Sequence, residues 1–168
     1  FMIPYGRHNI TKDDIESVIK VLKSEFLTTG PVVPKFEHEI NKVTKSHYSI
    51  AVNSCTSGLH IACLALGLKD GDILWTSPIS FVASANCGLY CRATIDFVDI
   101  DEDTALISIS KLKQKLEEAK KNGVLPKILI PVHFAGMPCE MEKIFKILKK
   151  YNIKLIEDCA HAIETKYK

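Results

Sequence analysis

The sequence predicts a three-layer α/β fold, αβα, with a mainly parallel sheet. Three observations carry this. From about residue 48 onward, short apolar runs alternate with amphipathic stretches of helical length, the pattern of strands joined by crossover helices. The run Ile128-Leu129-Ile130 is apolar without alternation, as expected of a strand covered on both faces. No repeat, low-complexity segment or Gly/Ser linker interrupts the chain. One domain over residues 1–168 is therefore expected, with a helical N-terminal segment over 1–46 and an α/β core over 47–168.

The elements follow in order. Thr11 ahead of Asp13 and Asp14 marks a helix start, a capping hydroxyl followed by acids in the first turn. Ile15, Val18, Ile19 and Leu22 then recur at helical spacing and are expected to bury one face. Thr28-Thr29-Gly30-Pro31 ends that helix, and a second one runs through Phe36, Ile40 and Val43. Tyr48–Val52 reads as the first strand. A helix at about 56–67, a strand at Ile73–Thr76, a helix at about 81–90 and a strand at Thr94–Val98 come next. A charged helix at about 108–121, a strand at Lys127–Val132, a helix at about 138–150 and a strand at Lys154–Glu157 complete the series.

Composition excludes several classes of function. Of the 168 residues, 46% are hydrophobic and 25% charged, which suffices for one sizeable core. A net charge of +2 from 22 basic and 20 acidic residues offers no electrostatic basis for binding nucleic acid or an acidic membrane. No apolar run approaches the ~20 residues of a membrane span. Met2-Ile3-Pro4-Tyr5-Gly6-Arg7 lacks the pattern of a signal peptide, so a cytoplasmic protein is expected, with Phe1 a remnant of expression. The cysteines at 55, 63, 87, 91, 139 and 159 include no Cys-x-x-Cys pair. Cys87 and Cys91 share a helix face, where buried free thiols are expected rather than a metal site.

Parallel α/β sheets bind ligands at the carboxyl ends of their strands, which directs attention to the residues just beyond each strand. Asn53-Ser54-Cys55-Thr56-Ser57-Gly58-Leu59-His60 opens a helix with small hydroxyl residues and a glycine. Free N–H groups and the helix dipole suit that turn to an anion, and simple capping explains it as well. Ser77-Pro78-Ile79-Ser80-Phe81-Val82-Ala83-Ser84-Ala85-Asn86 places an aromatic ring, Phe81, where it can stack on a flat heterocycle or fill the core. Glu157-Asp158-Cys159-Ala160-His161-Ala162 ends the last strand. Asp158 can hold a ring nitrogen protonated or cap a following helix, and His161 can be a hydrogen-bond partner or a packed histidine. No Gly-x-Gly-x-x-Gly or Gly-Lys-Thr is present, which argues against dinucleotide and nucleoside triphosphate folds, including a Rossmann oxidoreductase.

In this order, these segments resemble the sugar aminotransferases of the DegT/DnrJ/EryC1/StrS group, within the fold type I pyridoxal phosphate enzymes. Leu27-Thr28-Thr29-Gly30-Pro31 with Phe36-Glu37, and Pro131-Val132-His133-Phe134-Ala135-Gly136, extend the resemblance over nearly the whole chain. The Ser-Pro-Ile-Ser-Phe-Val-Ala stretch and the Asp-x-x-His form are similar to the branch that serves pseudaminic acid synthesis. The resemblance implies the N-terminal part of the large domain, with pyridoxal 5′-phosphate as cofactor. It implies that Thr56 and Ser57 hold the phosphate, Phe81 stacks on the pyridine, Asp158 pairs with the ring nitrogen and His161 lies near the phenolic oxygen. Thr28 and Gly30 fall to the substrate side or a dimer boundary. Glutamate as amino donor, a nucleotide-linked 4-keto-6-deoxy sugar as acceptor and a homodimer are implied in the same way.

One part of the pattern is absent. By resemblance the lysine that carries the cofactor lies roughly two dozen or more residues after the Asp-x-x-His motif. Lys166 and Lys168 follow Asp158 too closely and read as surface residues. The sequence therefore contains no catalytic residue of that kind, and two expectations stand. The chain is the cofactor-anchoring portion of an aminotransferase, or it is a non-catalytic module that binds a phosphate cofactor or a partner. The first is preferred, because the cofactor motifs are complete. A sheet ended at this point is expected to leave strands unpaired and helix faces bare, favouring self-association.

Overall fold

A computed structural model describes residues 6–167; Phe1 to Tyr5, with the supposed expression remnant, and Lys168 at the end of the expected surface tail lie outside the described residues. The chain forms two compact units, one running to Ala51 and the other starting at Val52.

In the first unit, α1 spans Lys12–Leu22 and α2 spans Val32–Thr44. The start of α1 is as the sequence predicts. The Thr11 hydroxyl accepts the Asp14 N–H at 3.3 Å, and the Asp14 carboxylate accepts the Thr11 N–H at 2.7 Å, a reciprocal capping box that satisfies two orphan donors. The Thr11 N–H and hydroxyl, both donating to the Asp14 carboxylate, hold its pKa below the ordinary value. The expected burial of the α1 stripe is corrected: Ile15, Val18, Ile19 and Leu22 are all exposed, as are Phe36 and Val43 of α2. Periodicity identifies a face that favours burial but supplies no partner for it. Tyr48–Val52 is not a strand either. Tyr48 is 88% and Ile50 74% exposed, and the Ala51 N–H donates to the Glu37 carboxylate at 2.8 Å rather than to a neighbouring strand. Strand-forming residues need a ladder partner, and none pairs with this segment among the described residues.

The second unit is the α/β core. It comprises α3 (Cys55–Ala65), β1 (Ile73–Thr76), α4 (Ala83–Tyr90), β2 (Thr94–Phe97), α5 (Ile109–Asn122), β3 (Ile128–Ile130), α6 (Met141–Tyr151) and β4 (Lys154–Leu155). All four strands run parallel, in the order β2-β1-β3-β4. The strand pairing continues past β4 through a bridge between Val132 and Asp158.

Strand alternation divides the core in two. Leu74, Ile128 and Ile130 face a cluster with Leu59 and Cys63 of α3 and Cys87 of α4. Trp75 and Leu129 face the opposite cluster, with Leu112 and Leu116 of α5 and Ile144 and Leu148 of α6. Ile128, Leu129 and Ile130 are each fully buried, so the unbroken apolar run did report a sheet covered on both faces. Gly88 sets how closely α4 approaches: a Cβ there would sit 3.2 Å from Leu74 Cδ1 and press on Ile95.

Because Leu112 is wholly buried against the sheet, Leu112→Ala is expected to destabilise the fold by about 2–5 kcal/mol, read from the midpoint of chemical denaturation. A loss below ~1 kcal/mol would mean the α5 face is not closely packed.

Candidate cofactor site at the carboxyl ends of the strands

Asp158 is the centre of the site. The parallel pairing carries it onto the rim of the sheet, where its N–H donates to the Pro131 carbonyl at 3.0 Å and its carbonyl accepts the His133 N–H at 3.1 Å. It is only 5% exposed, and a buried carboxylate must be met by donors. The Ser84 hydroxyl donates to Oδ2 at 2.6 Å and the Ala160 N–H donates to Oδ1 at 3.2 Å. The second of these closes a local turn, so Asp158 does not cap a helix. Its carboxylate faces two other elements instead.

One of them is the start of α3. The Cys55 thiol lies 4.0 Å from Asp158 Oδ1, which sets the hydroxyl-rich turn beside the acid although the two are far apart in sequence. Burial and the Asp158 charge push the Cys55 thiol above its ordinary pKa. The cap of α3 is Ser54, whose hydroxyl accepts the Ser57 N–H at 3.2 Å. The Ser57 hydroxyl donates to Asn53 Oδ1 at 2.7 Å. Capping thus accounts for Ser54 and much of Ser57. The Thr56 hydroxyl, half-buried on the first turn, has no hydrogen bond among the described residues. First-turn N–H groups without acceptors, beside a free hydroxyl at the positive end of a helix, make a donor set that fits an anion such as a phosphate.

The other element is the loop into α4. Phe81 is 72% exposed, so it does not fill the core and leaves an aromatic face open at the end of β1. Ser84, one residue into α4 and fully buried, connects this loop to Asp158. Its hydroxyl also lies 2.5 Å from that of Ser80. His161 sits in an exposed turn three residues beyond Asp158. Gly136 holds that turn close: with φ +83° it favours glycine, and a Cβ would lie 3.1 Å from the His161 carbonyl oxygen. Thr28 and Gly30 belong to the first unit, in the loop between α1 and α2. A Cβ at Gly30 would lie 2.8 Å from Phe26 Cβ, so packing within that loop is sufficient reason for the glycine.

Two buried neighbours of Asp158 were not singled out from the sequence. Ser84 carries no local signal beyond its place in the loop after β1. His133 stands after β3, where the same strand-end reasoning would have found it. It is buried, with Nε2 3.0 Å from Glu157 Oε2. Contacts with Cys139, Cys159 and Glu157 raise its pKa, and burial opposes them. The Cys139 amide N–H, 3.0 Å from Nδ1, limits that rise because it requires a lone pair there. This fixed donor assigns the neutral ring with its proton on Nε2, directed at Glu157. His133, Glu157 and Cys159 bring three potential ligand atoms within 4.8 Å of one another, yet a protonated Nε2 is no ligand for a metal ion. Of the cysteines, Cys63, Cys87, Cys91 and Cys139 are buried free thiols, with Cys63 and Cys87 in contact at 3.7 Å.

The sequence pattern of the DegT/DnrJ/EryC1/StrS aminotransferase family matches residues 8–168. The chain belongs to this family. Among its relatives in the family, the UDP-4-amino-4,6-dideoxy-N-acetyl-β-L-altrosamine transaminase of Campylobacter jejuni is 39% identical over 99% of this chain and 43% of its own length. The spore coat polysaccharide biosynthesis protein SpsC of Bacillus subtilis is 37% identical over 99% of this chain and 41% of its own. The structure of Helicobacter pylori PseC, an aminotransferase involved in pseudaminic acid biosynthesis, superimposes with a TM-score of 0.89 at 28% identity, over 98% of this chain and 43% of that one. The chain thus spans about two-fifths of the length of the curated relatives it matches. Aminotransferases of the family depend on pyridoxal phosphate, and the related sugar aminotransferase Spr1654 of Streptococcus pneumoniae has a structure in its PLP form. No helix among the described residues is long and apolar enough to cross a membrane.

The proximity of Cys55 to Asp158 yields a direct test. Replacing Asp158 by Asn removes the charge that disfavours the Cys55 thiolate, so Cys55 should be alkylated faster at fixed pH, with its pH–rate midpoint moved to lower pH. Peptide mass spectrometry after iodoacetamide treatment reads Cys55 separately from the exposed Cys159. An unchanged Cys55 rate would place the acid away from the start of α3.

Proposed function

We propose that the rim of the second unit anchors pyridoxal 5′-phosphate in an aminotransferase that acts on a nucleotide-linked sugar. The observation that carries this reading is the buried Asp158 carboxylate beside the start of α3, in a chain of this family. When bound, the cofactor supplies a protonated pyridine ring that accepts the electron pair released at the α-carbon of the amino donor.

The chain's own residues have the complementary tasks. The first-turn N–H groups of α3 and the Thr56 hydroxyl bind the phosphate, with Ser57 holding the turn in shape. Asp158, as an anion in a low-dielectric site, keeps the ring nitrogen protonated. Phe81 offers a flat apolar face for the ring, and His161 belongs beside the phenolic oxygen. Glutamate as donor, the 4-keto carbon of a nucleotide-activated 4-keto-6-deoxy sugar as acceptor, a homodimer and a cytoplasmic location complete the proposal. The likeness to the altrosamine transaminase and to PseC supports the pseudaminic acid branch. The lysine that the resemblance puts after the Asp-x-x-His motif is not among these residues. On this reading the segment holds the cofactor without a covalent bond and does not transfer the amino group alone.

Binding of pyridoxamine 5′-phosphate, followed by fluorescence titration, tests the anchor. Thr56→Val should weaken it about tenfold, the scale of one hydrogen bond to a charged group, and leave unphosphorylated pyridoxamine unaffected. Equal losses for both ligands would remove Thr56 from the phosphate site. In a protein carrying this segment and the later lysine, Asp158→Ala should lower the transamination rate far more than Thr28→Ala, and equal effects would show that the ring partner is misassigned.

A further inference from the structure

We infer that Ser84 is the positioning residue of Asp158: its hydroxyl holds one carboxylate oxygen and so orients the acid toward the ring nitrogen. This rests on the cofactor reading given above.

The geometry allows Ser84 little freedom. It is wholly buried, and its oxygen lies 2.6 Å from Asp158 Oδ2 and 2.5 Å from the Ser80 oxygen. An ionised carboxylate only accepts, so Ser84 must give its single proton to Asp158. Its oxygen is then left to accept from Ser80, whose hydroxyl also has the Phe81 carbonyl as an acceptor at 3.1 Å. Ser84 lies in the first turn of α4, whose dipole favours a negative charge at that end.

The anchoring is one-sided. Ser84 fixes Oδ2, whereas among the described residues Oδ1 receives only the 3.2 Å Ala160 N–H and the 4.0 Å thiol of Cys55. One oxygen is held firmly and the other keeps lone-pair capacity for a further donor. The fold makes this pairing possible: α4 follows β1, Asp158 continues the ladder beyond β4, and β3 lies between those two strands.

The experiment compares two ligands on the whole chain, pyridoxamine 5′-phosphate and its analogue with carbon in place of the ring nitrogen. Ser84→Ala should weaken the first about tenfold and leave the second unchanged. Ser84→Thr, which restores the hydroxyl, should recover most of the loss. In an Asp158→Asn background, Ser84→Ala should have no further effect on the first ligand. Equal weakening of both ligands by Ser84→Ala, or an undiminished effect in that background, would overturn the inference. Failure of the cofactor reading has a different signature: Asp158→Asn alone would then weaken both ligands equally. Thermal melts of the ligand-free single and double variants would still report whether Ser84 and Asp158 are coupled. Additive melting shifts would overturn the positioning role independently of any cofactor.

Discussion

The constraint on which the rest depends is the common direction of the four strands. In a parallel sheet every strand delivers its carboxyl end to the same rim, so residues distant in sequence emerge side by side. Phe81 follows β1, His133 follows β3 and Asp158 follows β4. Without that shared direction these residues would lie at opposite edges, and no single ligand could reach them.

Packing keeps the rim in place. The sheet is buried on both faces, with Leu74, Ile128 and Ile130 against α3 and α4 and Trp75 and Leu129 against α5 and α6. A slip of one residue would exchange those two faces, so the hydrophobic pattern that builds the core also fixes the register that places Asp158. The helices then contribute their amino ends. The start of α3 arrives with Cys55 and Thr56, and that of α4 with Ser84. The acid meets its donors because two separate helices are seated on the same face of one sheet.

Much of this was legible in the sequence. The helix at Thr11, the alternation after residue 55 and the twofold burial of Ile128–Ile130 follow from capping chemistry and periodicity, which act over a few residues. The ordered strand-end motifs were enough to indicate the family, because that order reflects one sheet edge. Where the sequence misled, the deciding partner was not local. The α1 stripe and Tyr48–Val52 have the composition of a buried helix face and a strand, but neither finds a covering surface or ladder partner among the described residues. His133 enters in the sequence only within a segment that carries the resemblance, because its burial and its contact with Glu157 depend on the packed sheet.

By itself, the sequence determined the α/β class, the boundaries of most helices and the residue types offered at each strand end. Only the tertiary structure decided which of them meet. Capping accounted for Ser54 and much of Ser57 in the turn before α3 and left the Thr56 hydroxyl unengaged. Phe81 proved exposed instead of core. Asp158 took Ser84 as its hydrogen-bond partner and lies beside Cys55, at separations that no motif encodes. The reason is physical: propensity and periodicity report what one segment prefers, whereas a buried carboxylate is satisfied by whichever donors the packed sheet and helices bring within reach.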